Sequence, residues 1–143
     1  LGWELIPALF ALNTNTKTMR TITFEGKKIN FDFSLGCIND VYVKELGGDF
    51  NDLVNIQEYG ENPSKLIDVT RDMMLSGHLY WLYCNDKDEE ADEILIKIKK
   101  ARMIATKWLM QTQVMTVVEW LTKDLMPNDL DAPKQKEVKK KLQ

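Results

Sequence analysis

The sequence predicts an α+β fold: an N-terminal β-hairpin packed on a bundle of about four to five α-helices, mostly helical overall. Two observations lead there. Apolar and polar residues alternate across 20–33, and from residue 35 onward apolar residues recur at helical spacing. A third sets the scale. The chain has 143 residues and a hydrophobic share of 44%, enough for one domain to bury a core without disulfides or a structural metal.

In the hairpin, Ile22 and Phe24 point one way, and Ile29, Phe31 and Phe33 do the same on the second run. Between them lies Glu25-Gly26-Lys27-Lys28. The expected loop is Gly26-Lys27, because glycine in first place suits a type II′ turn. That register sets Phe24 against Ile29, Ile22 against Phe31 and Glu25 against Lys28. A loop at Glu25-Gly26 is disfavoured, since it sets Phe24 against Lys27. A lone hairpin is barely stable, so helices are expected to cover its apolar face.

Ser34 is the expected N-cap of a helix over 35–46, with Leu35, Ile38, Tyr42 and Leu46 inward and Gly47-Gly48 as its stop. Asp49 caps a short helix through Phe50, Leu53, Val54 and Gln57, ended by Gly60. Asn62-Pro63 opens a third helix that runs to about Cys84. Its stripe is Leu66, Val69, Met73, Tyr80 and Cys84, with Ile67, Met74 and Trp81 beside it. Gly77 costs that helix about 1 kcal/mol against alanine, and such a glycine often allows close helix contact. After an acidic turn, a fourth helix from near Asp88 carries Ile94, Ile98, Ala101, Ala105 and Trp108 to about Met110 or Gln111. A fifth spans Val114–Leu125 with Val114, Val117, Val118, Leu121 and Leu125 on one side. A capping box of Thr116 and Glu119 would start it slightly later. Pro127 closes it.

The expected organisation is one domain over 19–130 and a basic tail over 131–143. Residues 1–18 read as an added peptide or as an amphipathic arm whose Trp3, Leu5, Ile6, Leu9 and Phe10 seek a groove. On the first of these readings Met19 is the natural start. The apolar run over 1–12 has no basic leader and contains Pro7, so a signal peptide is not expected. No run of about 18 apolar residues occurs, so no membrane partner is expected. A net charge of −3 argues against nucleic acid as a general partner. Cys37 and Cys84 match no paired spacing and read as reduced thiols in a cytoplasmic protein.

Catalytic and metal signals are weak. His78, the one histidine, is the sole candidate base for a serine or cysteine nucleophile. It is placed mid-helix on the polar side, and Cys84 six residues on is off its face. Asp86, Asp88, Glu90 and Asp92 alternate like a calcium loop, but Ala91 stands where glycine is required and Lys97 where glutamate belongs. An acidic helix start explains them better. Gly47-Gly48 lacks the lysine and hydroxyl of a phosphate loop. The expectation is a non-enzymatic protein with no cofactor and no metal. The tail has five lysines without interleaved aromatics and reads as a solvated terminus. Seven methionines fill a core or suit an adaptable surface. The residues expected to bind another protein are Trp81, Met110 and Trp120, with Trp3 and Phe10 from the arm.

The segment T-I-T-F-E-G-K-K-I-N-F-D-F, the helix after it ending at Gly47-Gly48, and the closing V-M-T-V-V-E-W-L-T-K-D-L-M-P resemble the tail assembly chaperones of long-tailed bacteriophages. The likeness covers about residues 19–130. It implies a protein that binds the tape measure protein, keeps it soluble, helps recruit tail tube subunits and is absent from the mature virion. It also implies a longer form made by ribosomal frameshifting, with which the lysine run 139–141 is compatible. Self-association is a further expectation. The alternative is a small phage or bacterial regulator or inhibitor that binds one host protein without catalysis.

Overall fold

The computed structural model describes residues 19–125. The expectations for Trp3, Phe10, Pro127 and the basic tail lie outside the described residues. Two strands, β1 (Arg20–Phe24) and β2 (Lys27–Phe31), form an antiparallel hairpin. A π-wound helix, α1 (Cys37–Val43), and a short α2 (Phe50–Val54) follow. A 3-10 turn over Ile56–Glu61 leads to α3 (Pro63–Cys84), α4 (Asp88–Ile96), α5 (Ile98–Thr112) and α6 (Val114–Leu125).

The hairpin takes the register that sequence reasoning disfavoured. Ile22 pairs with Ile29, Arg20 with Phe31 and Phe24 with Lys27. The loop is Glu25-Gly26, with φ of 51° and 78°, so both central residues take the left-handed form of a type I′ turn. The two candidate registers differ by two residues. Side-chain parity is therefore the same in both, and Ile22, Phe24, Ile29 and Phe31 share a face either way. Burial could not choose between them. The turn did, at the cost of Phe24 facing Lys27 at the hairpin tip.

Ser34 caps, as expected, the α-helical turn that leads into α1, its Oγ accepting from the Cys37 amide at 3.1 Å. The winding that follows is wider than an α-helix. The Leu46 amide reaches the Val41 carbonyl at 2.9 Å, five residues back. Ile38, Tyr42 and Leu46 face inward as expected, with Cys37 and Val41 added, while Leu35, expected inside, is 71% exposed ahead of α1. Gly47 sits at φ 73°, and a Cβ on Gly48 would overlap the Tyr42 ring, so the glycine pair closes the turn for two separate reasons. Asp49 caps α2 through its side chain, yet Phe50 and Val54 face outward and Leu53 and Ile56 supply the inward contacts.

Helix α3 is the axis of the molecule. It packs against β2, α1, α4, α5 and α6. Its middle is therefore buried all round, from Met73 to Leu79, rather than along one stripe. Cys84, expected inside, is exposed, while Cys37 is buried, and no disulfide joins the two. Gly77 makes its close contact with Phe33, just after β2, and not with a helix. Its carbonyl accepts from the Asp32 amide at 3.0 Å, tying the chain after β2 to α3.

The expected fourth helix is two helices. Lys97 leaves helical geometry at ψ 45° and divides α4 from α5. No glycine or proline marks the break, so the apolar pattern runs through it unbroken. Ala91, Ala101 and Ala105 are buried on either side of it, where small side chains let α4 and α5 approach α3. Gln113, at φ 82°, separates α5 from α6. Helix α6 starts at Val114, with the Val117 amide bonded to the Gln113 carbonyl at 3.2 Å. The Thr116–Glu119 capping box is not used; Glu119 pairs with Lys123 at 2.9 Å instead.

Candidate protein-binding surface

The outward side of α5 carries Met103 and Met110, and α4 ends in Ile96. These three stand at seven-residue intervals and are 68%, 60% and 81% exposed, respectively. Met103 and Met110 lie two turns apart on one face of α5, while Ile96 precedes the break at Lys97 and is exposed at the end of α4. Isolated exposed apolar residues are ordinary, but a repeated pair on one helix face is a surface that water solvates poorly. Lys99, Lys100 and Lys107 are exposed on the same helix. Next to the series, at the joint of α4 and α5, lies a groove of about 210 Å³. Ile94, Ala101 and Ile104 line it, and Glu90, Glu93, Lys97 and Lys100 edge it.

Of the sequence-predicted binding residues, Met110 lies in this series. Trp81 and Trp120 do not. Trp81 is half-buried, stacked on the His78 ring at 6.4 Å and covered by the Lys87 ammonium at 5.1 Å from its centroid. Trp120 is half-buried with the Arg20 guanidinium 5.7 Å from its centroid. Arg20 is held there by a two-point pair to Asp124, at 3.0 and 2.7 Å. Both indoles already serve as cation platforms. Ile96 and Met103 escape a reading that assigns each helix one inward stripe; the seven-residue spacing of Met103 to Met110 is the available signal.

The catalytic candidate does not sit on the polar side of α3. His78 is 7% exposed, packed edge-on to Trp108 and Phe31. Its Nδ1–H donates to the Asn30 carbonyl at 2.9 Å, which orients the ring and joins β2 to α3. Burial holds its pKa below the usual histidine value, opposed in part by that hydrogen bond. Among the described residues, the Trp108 indole nitrogen beside it is buried with no hydrogen-bond partner.

The acidic turn is absorbed into local structure. Asp88, Glu89 and Glu90 fill the first turn of α4, where the helix dipole favours them. Asp92 accepts from the Tyr83 hydroxyl at 2.8 Å, and burial together with that carboxylate pushes the phenol up to about 12. No cluster of three or more metal-ligating side chains occurs among the described residues. Nor is any described helix long and apolar enough to cross a membrane.

The chain matches no protein-family model, no curated protein and no solved structure.

Proposed function

We propose that the protein is a non-catalytic chaperone that holds an apolar helical segment of another polypeptide against the α4–α5 face. The observation that supports this best is the exposed series Ile96, Met103 and Met110 beside the Ile94–Ile104 groove. Met103 and Met110, seven residues apart on α5, meet a partner helix two turns apart, in the helix-in-groove manner, with Ile96 exposed at the α4 end beside the joint. Two of the three are methionines, whose flexible side chains fit irregular or varied partners. The flanking lysines favour a partner stripe edged with carboxylates.

On the resemblance of its hairpin and closing helix to tail assembly chaperones, the partner is the phage tape measure protein. The chaperone acts in the host cytoplasm, helps recruit tail tube subunits and leaves before the virion is complete. Release requires modest affinity per site, which many copies along one long helix offset.

Co-expression with the tape measure protein tests the reading. The wild-type chain is expected to raise the soluble fraction of that protein several-fold, at several copies per partner. Met103→Glu with Met110→Glu is expected to abolish the gain while leaving the melting temperature unchanged, since both side chains are exposed. No gain with the wild-type chain contradicts the proposal. A tight one-to-one complex with a different protein supports the regulator reading instead.

A further inference from the structure

The joint between α5 and α6 is a single strained residue. Gln113 has φ 82° and ψ 135°, a region that glycine occupies freely and other residues avoid. Strain concentrates there because α6 must turn back to cover the core. Beside the joint, Thr112 carries a buried hydroxyl with no hydrogen-bond partner among the described residues. Short hinges under strain favour exchange of the element they carry between copies.

We propose that α6 is exchanged between two copies of this chain about Gln113. If Gln113 becomes helical, α5 and α6 fuse. The amides of Val114, Met115 and Thr116 then find the carbonyls of Met110, Gln111 and Thr112 four residues back. The fused helix carries α6 away from its own core, and the α6 of the second copy takes its place. Every contact that docks α6 is non-covalent and is remade in that exchange. Val117, Val118 and Leu121 re-enter the core against α3 and α5. Asp124 pairs with the other copy's Arg20, as it now pairs at 2.7 Å within one chain. What is new lies at the hinge, where the two fused helices cross. Met115, which follows Gln113 and is 67% exposed, stands where that crossing covers it.

The Arg20–Asp124 pair gives a test that reads exchange alone. Arg20→Glu sets two carboxylates together within one chain, and Asp124→Arg sets two guanidiniums together. Each variant alone is expected to melt below the wild type. Mixed in equal amounts and annealed, or refolded together if neither folds alone, they form opposite-charge pairs at both sites only through exchange of α6. The expected result is a heterodimer by light scattering, melting within a few degrees of the wild type. A mixture that behaves as the sum of its parts, with no heterodimer, overturns the proposal. Gln113→Gly in the wild-type background relieves the hinge and is expected to lower the dimer fraction several-fold. An unchanged dimer fraction would show that the hinge strain plays no part.

Discussion

His78 holds the hairpin to the central helix from inside a ring of aromatics, and it does so neutral. Burial disfavours its charged form, so the folded chain binds that proton less readily than the unfolded chain. The sign follows directly. Stability is complete above the ordinary histidine value of 6.5 and falls as pH drops below it, because the unfolded state takes up the proton first. The chain has one histidine, so no other side chain of ordinary pKa titrates in that window. The melting temperature is expected to fall between about pH 7 and about pH 5. In His78→Gln that fall should largely disappear, although the variant is less stable at neutral pH. An identical slope in both would place the titration elsewhere. Nothing local signals this burial: the neighbours Gly77 and Leu79 do not fix which side of a helix packs when every side of it packs.

At the scale of elements, the legible features were those written in local chemistry. Ser34, Asp49 and Asn62 each accept from the amide that the capping rule requires. Gly47-Gly48 ends α1, and Val117, Val118 and Leu121 face inward on α6. The features that escaped were set by tertiary packing. Leu35 stays outside ahead of α1, whose π winding buries Cys37 and Val41, and Lys97 divides α4 from α5 without a breaking residue. The hairpin register escaped for a different reason: both registers bury the same residues, so the decision fell to the backbone of Glu25 and Gly26. That gives a prediction. Glu25 at φ 51° occupies the left-handed region, where asparagine is at less cost than glutamate. Glu25→Asn should stabilise the protein by up to about 1 kcal/mol in urea titration. A loss of stability would contradict a type I′ turn at this position and favour the Gly26-Lys27 loop.

For the molecule as a whole, one central helix is covered by the hairpin and by α1, α4, α5 and α6, and regular apolar groups remain on the outer side of α4 and α5. Met73 and Met74 are fully interior, whereas Met103 and Met110 are not. The methionines therefore divide into a set that fills the core and a set available to a partner, a division that composition alone left open. It also supplies the most direct test. With methionine methyls labelled for NMR, the protein is titrated with an amphipathic helical peptide whose apolar stripe is flanked by glutamates. The Met103 and Met110 signals are expected to shift in step with binding while those of Met73 and Met74 stay in place. Binding that leaves Met103 and Met110 unmoved, or no binding at all, would contradict that expectation.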